Sequence, residues 1–97
     1  MPYAYLVQCA DGSYYAGWTT DLESRVQAHN EGRGARYTRS RRPVQLVYWE
    51  SQPTRSAAQR RETALRRLSH DKKAALVTAF EAPQRPLAES PRQEYDE

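Results

Sequence analysis

Glu62 is an acid among apolar neighbours. On a helical wheel of about 100° per residue, Ala58, Glu62 and Leu65 lie on adjoining rows of one face, beside Ala57, Ala64 and Leu68. A carboxylate on such a shoulder is costly to desolvate unless a cation meets it. The plainer partner is a nearby arginine, and position alone slightly favours that reading. Arg25 and His29 stand at i and i+4, on a face bordering the Leu22/Val26 apolar pair. Two such side chains cannot pair as opposite charges, but together they can meet an anion. Pattern alone favours two solvated side chains at the helix edge.

Tyr3, Tyr5, Tyr14 and Tyr15 fall within thirteen residues. Which of them share a face depends on the turn between them. With Ala10-Asp11 at the centre and Gly12 in a left-handed bulge position, Cys9 opposes Ser13, Tyr5 faces Gly17 and Val7 faces Tyr15. Tyr5 and Tyr15 then project from one side. A two-residue Asp11-Gly12 turn sends them to opposite sides, and Asp-Gly is a strong signal for it. Aromatic core packing suits Tyr3 and Tyr48 in either case. Further on, Arg33, Arg36, Arg39, Arg41 and Arg42 crowd into ten residues with Gly34 and Tyr37 among them. A flexible basic loop with an interleaved aromatic suits phosphate contact and base stacking. A solvated charged loop is the alternative.

These residues need elements to hold them. Tyr3 to Cys9 reads as a strand, Ala10 to Ser13 as a turn and Tyr14 to Thr19 as the returning strand. Thr20 and Glu23 have capping-box spacing at the head of a helix, which Gly32 and Gly34 end. Val44 to Trp49 reads as a third strand. A long helix is expected from near Ser56 through Leu68, and a short one from about His70 to Phe80. The fold class expected is α+β, a small three-stranded antiparallel sheet flanked by helices. Residues 1–80 form the one domain. Residues 81–97, with Pro83, Pro86 and Pro91 among acidic and polar neighbours, read as a disordered tail.

Composition sets the outer limits. A chain of 97 residues supports one domain. The single cysteine, Cys9, offers no disulfide and suits a reducing compartment. No apolar run approaches the roughly 20 residues of a membrane helix, and the first residues lack a signal peptide's basic and apolar regions. A soluble cytoplasmic protein with no membrane partner is expected. Residues 1–80 carry thirteen Lys/Arg against seven Asp/Glu, while 81–97 carry two against five. Nearly all of the basic residues are arginine, the side chain that grips phosphate as a planar fork. A GC-rich genome writing Arg for Lys would leave the same composition.

The order Tyr5, Tyr15-Ala16-Gly17, Arg25, His29 and Glu62 resembles the GIY-YIG nuclease domain, in its short stand-alone bacterial form. Tyr3-Ala4-Tyr5 stands at the first motif and Tyr15-Ala16-Gly17 at the second, and the likeness covers roughly residues 3 to 77, including Gly34-Ala35-Arg36-Tyr37-Thr38. Tyr3 replaces the first glycine of the name motif, alanine replaces both central isoleucines, and the asparagine that often follows the glutamate is absent. The resemblance implies that Glu62 is the sole protein ligand of one Mg²⁺ or Mn²⁺ ion. It implies that Tyr5 and Tyr15 bracket the scissile phosphate, one of them handling the attacking water. Arg25 would stabilise the transition state, with His29 assisting.

The expected function is therefore a metal-dependent endonuclease acting on double-stranded or branched DNA, with low sequence specificity and a setting in repair or recombination. Nucleic-acid contacts are expected from Arg33, Arg36, Tyr37, Arg39, Arg41, Arg42 and Arg61, and a protein partner could supply target choice. The alternative is a non-catalytic nucleic-acid-binding module on the same fold. A third reading is a protein-interaction adaptor with the acidic tail as its partner segment.

Overall fold

The computed structural model describes residues 1–89, with side chains to Phe80; the expected tail over 81–97 lies outside the residues so described, apart from the backbone of 81–89. Three strands form, β1 (Tyr3–Gln8), β2 (Tyr14–Thr19) and β3 (Gln45–Ser51). They pair antiparallel in the order β2-β1-β3, so the N-terminal strand is the middle one. Among the described residues four helices accompany them: α1 (Leu22–Asn30), α2 (Arg36–Arg39), α3 (Arg55–Arg66) and α4 (His70–Glu89). The fold is α+β, a three-stranded antiparallel open sheet flanked by helices.

Because β1 is central, its alternating side chains serve two cores. Ala4 and Leu6 join Ala16, with Leu65 of α3 and Val77 of α4 over them. Tyr5, Val7 and Cys9 point the other way, with Val44, and pack against Tyr15 and against Leu22 and Val26 of α1. The strand is thus buried on both faces, Ala4 through Val7 being fully buried.

The hairpin takes the bulged form. The Cys9 N–H donates to the Ser13 carbonyl at 2.8 Å, the Gly12 N–H to the Cys9 carbonyl at 2.9 Å, and Gly12 has φ 86°. Tyr5 consequently pairs with Gly17 and Val7 with Tyr15, which puts the two tyrosines on one face.

Three local expectations are corrected. Helix α4, expected to end near Phe80, continues through Glu89, where a disordered tail was expected from residue 81. The cap of α1 is Asp21, not Thr20: its Oδ1 accepts from the Ser24 N–H at 3.1 Å, because Thr19 Oγ1 already turns the chain by accepting the Asp21 N–H at 3.1 Å. The basic stretch expected as a loop contains α2, a single turn at Arg36–Arg39. Helix α3 begins as anticipated, with Thr54 Oγ1 accepting the Ala57 N–H at 3.0 Å. Asn30 closes the return to β3 by bonding both backbone groups of Val44, at 2.7 Å to its N–H and 3.0 Å to its carbonyl.

Candidate active site

Tyr5 lies flat across its register partner. A Cβ added at Gly17 would sit 2.4 Å from the Tyr5 hydroxyl and 2.6 Å from Cζ, so a side chain at residue 17 would displace the phenol. That hydroxyl is where the sheet meets α1. It contacts His29 Nε2 of α1 at 2.9 Å and accepts from Arg25 Nε, one turn earlier, at 3.3 Å. On the far side of the imidazole, His29 Nδ1 contacts Thr38 Oγ1 of α2 at 2.8 Å, and Thr38 donates to the Ala35 carbonyl at 2.9 Å. Tyr5, His29 and Thr38 are fully buried.

His29 was expected at the solvated edge of α1 and is instead enclosed. The reason is the segment from Gly34 to Thr38, which folds back over it. A Cβ on Gly34 would lie 2.2 Å from His29 Nδ1, so only glycine lets the chain pass so close. Enclosure sets the chemistry. Burial, with the Arg25 charge added, pushes the imidazole pKa down to about 4, so His29 is neutral at pH 7. Burial raises the Tyr5 phenol above its usual 10, against the hydrogen bond and charge of Arg25.

Tyr15 stands edge-on to the same imidazole, with ring centroids 5.5 Å apart at 69°. It also stacks on the exposed Tyr37 at 5.9 Å and 20°. Over Tyr37 lies the Arg41 guanidinium, 3.9 Å from the ring centroid. Arg41 in turn holds the Tyr37 carbonyl at 2.8 Å and Asp11 of the hairpin turn at 3.2 Å. Tyr15 and Tyr37 form one wall of a cleft of about 290 Å³, which Tyr14, Ala16, Arg66 and Lys73 complete.

Glu62 is outside the Arg25–Tyr5–His29 set of bonds. Its side chain is only 12% exposed and is ion-paired with Arg66 one turn on, the arginine that lines the cleft beside Tyr15. The anticipated salt bridge therefore exists. Its cation is a surface arginine, 59% exposed, and a pair with so exposed a partner adds little to stability. Among the described residues no three His, Cys, Asp or Glu side chains gather closely enough to cage a metal. A cation at Glu62 would be held by one carboxylate with water and substrate oxygens, which suits Mg²⁺.

The remaining basic residues divide. Arg33 is ion-paired with Glu31, and Arg42 donates to the Arg39 and Asn30 carbonyls. Arg61 is held by both oxygens of Glu50, at 2.9 and 2.8 Å. Arg36 and Arg39 are exposed, with no side-chain partner among the described residues. Thr38 and Gly34 escaped the sequence reading as site residues; the only signal for them was the Gly-Ala-Arg-Tyr-Thr run itself.

Residues 1–75 match the family model of the GIY-YIG catalytic domain. The chain belongs to the GIY-YIG family. The UPF0213 protein of Haloquadratum walsbyi is 53% identical over 75 residues, covering 77% of this chain and 84% of that relative. The UPF0213 protein of Clostridium perfringens is 46% identical over 79 residues, covering 81% and 85%. Among solved structures, the solution NMR structure of a UPF0213 protein from Bacillus halodurans is similar at a TM-score of 0.56 and 39% identity, over 92% of this chain and 96% of that one. The GIY-YIG match covers every residue the sequence offered for catalysis. Among the described residues, no helix of this GIY-YIG chain is long and apolar enough to cross a membrane.

Proposed function

We propose that this chain is a metal-dependent endonuclease that hydrolyses phosphodiester bonds in DNA, with little sequence preference. The observation that carries the reading is the convergence of Arg25 and His29 on the Tyr5 hydroxyl, with Tyr15 against the same imidazole, on a GIY-YIG catalytic domain. Branched or damaged duplex in repair or recombination is the substrate setting we propose for it, with a protein partner choosing the target. The single, buried Cys9 suits work in the cytoplasm.

In this reading Tyr15 borders the scissile phosphate, and the buried Tyr5 hydroxyl acts from behind it by holding Arg25. Arg25, fixed by its bond to Tyr5, faces the charge that develops on the phosphoryl oxygens. His29 stays neutral and orients the Tyr5 hydroxyl rather than adding charge. Glu62 exchanges Arg66 for a divalent ion, Mg²⁺ or Mn²⁺, which would supply Lewis-acid stabilisation of the phosphate. Tyr37 and Arg41 give stacking and charge at the mouth of the cleft, beside the exposed Arg36 and Arg39.

The test is cleavage of supercoiled plasmid and branched duplexes in Mg²⁺ or Mn²⁺ by wild type and Glu62→Ala. Wild type is expected to nick or linearise DNA, and the variant to lose at least about a hundredfold in rate. Equal, background-level traces from both proteins would end the nuclease reading. The outward stack of Tyr37 and Arg41 favours one second reading, a binding module alone. In that case DNA retention survives Glu62→Ala and no protein cleaves.

A further inference from the structure

We propose that Thr38 is a positioning residue that sets the polarity of the Tyr5 hydroxyl: by taking the Nδ1 proton of His29, it leaves the Nε2 lone pair facing Tyr5, so that Tyr5 turns its proton toward His29 and its oxygen lone pairs toward Arg25.

The argument is a count of protons. Thr38 has one hydroxyl proton, and the Ala35 carbonyl, which cannot donate, takes it at 2.9 Å. The 2.8 Å contact between Thr38 Oγ1 and His29 Nδ1 then needs its proton from the imidazole. A neutral imidazole has only one N–H, so Nε2 is bare. The 2.9 Å contact between Nε2 and Tyr5 must therefore carry the phenol's own proton. Arg25 can only donate, and its Nε reaches the Tyr5 oxygen at 3.3 Å. All four bonds read in one direction, from Arg25 through Tyr5, His29 and Thr38 to the Ala35 carbonyl.

One contact opposes this order. The Ala35 N–H points at Nδ1, but at 3.4 Å it is the longest of the set. The reverse tautomer would keep that bond and give up the 2.9 Å bond from Thr38 to the Ala35 carbonyl, leaving the buried Thr38 oxygen against a half-buried carbonyl oxygen without a proton between them. Burial of the imidazole beside Arg25 keeps it in the neutral form the count requires.

Direction matters to the proposed hydrolysis, on which this inference rests for its kinetic consequence alone. With its proton turned inward, the Tyr5 oxygen keeps its lone pairs for Arg25 Nε, which fixes the guanidinium in the direction that meets the charge developing on the phosphoryl oxygens. No proton leaves the chain in this role, and His29 stays neutral.

The experiment uses the full chain labelled with ¹⁵N, and long-range ¹H–¹⁵N correlation of the imidazoles, with His70→Gln assigning the second histidine. Wild type is expected to show His29 protonated at Nδ1 and bare at Nε2. Thr38→Val, which keeps the shape and removes the hydroxyl, should move the population toward Nε2–H, whereas Thr38→Ser should hold the wild-type form. In the cleavage assay Thr38→Val should lower kcat by about tenfold to a hundredfold with KM changed by less than about twofold, and Thr38→Ser should restore it. A wild-type spectrum with Nε2 protonated would overturn the proposal, as would an unchanged tautomer in Thr38→Val. Should Thr38→Val not fold, the wild-type and Thr38→Ser spectra decide. Absence of cleavage by every protein would count against the nuclease reading, with the spectra still deciding Thr38.

Discussion

His29 is a titratable group that the fold keeps neutral, and this links the site to stability. Its pKa is about 4 in the folded chain against 6.5 ordinarily. Between those values the unfolded chain binds a proton that the folded chain refuses, so stability rises with pH across the window and is lost as pH falls from about 6.5 to about 4. The full loss is on the order of 3 kcal/mol. Urea midpoints measured from pH 7 to pH 4 should show it, and His29→Gln should flatten the slope in that range. At this scale the sequence was informative where spacing along one element mattered. Arg25 and His29 at i and i+4 were legible as a pair, and Tyr5 and Tyr15 as phenols of one hairpin. The burial of His29 was not, because a helical wheel shows one helix and not the Gly34–Thr38 segment that closes over it. Thr38 was read only as part of a basic run, since its role is a contact made nine residues back.

Elements were legible when periodicity was long enough to register. Three strands and the helices after β1-β2 and β3 follow from alternation, caps and turn residues. The four residues of α2 are too few to show a period, and its arginines drew attention as charge. The hairpin was ambiguous for a physical reason: Asp11 and Gly12 serve either turn. In the structure Asp11 accepts from the Ser13 N–H at 3.0 Å and from Arg41 at 3.2 Å, two bonds that accompany the bulged form. Asn30 shows how one side chain registers an element. It satisfies both backbone groups of Val44 next to the cis Arg42–Pro43 peptide, joining α1 to the start of β3. Asn30→Ala would leave a donor and an acceptor unpartnered in a part-buried place. The expected cost is about 2 kcal/mol, read as a lower urea midpoint with an unchanged slope.

Over the whole molecule, positive charge is concentrated in residues 1–80, and pairing decides which of it can meet a partner. Arg61 is engaged by Glu50, whereas Arg36 and Arg39 stand exposed beside Tyr37. DNA binding followed by fluorescence anisotropy at several KCl concentrations should separate them. Replacing Arg36 and Arg39 together by Ala should reduce the slope of log affinity against log salt by about two, as for two lost phosphate contacts. Arg61→Ala should leave the slope alone. The family and the α+β class were legible from the order of a few residues, because those residues are where the strands and helices must come together. The pairing of each arginine was not, since it depends on which acids the folded chain brings near. The strand order β2-β1-β3 has a last consequence. Tyr5 rides on the middle strand, enclosed from both sides, and local opening seldom reaches such a strand before the rest of the protein unfolds. Tyr15 rides on the outer strand, and Tyr37 on a single helical turn. The aromatic wall of the cleft is therefore sprung, while the hydroxyl buried behind it is bolted down, so the wall can give without disturbing the bonds that Tyr5 makes to Arg25 and His29.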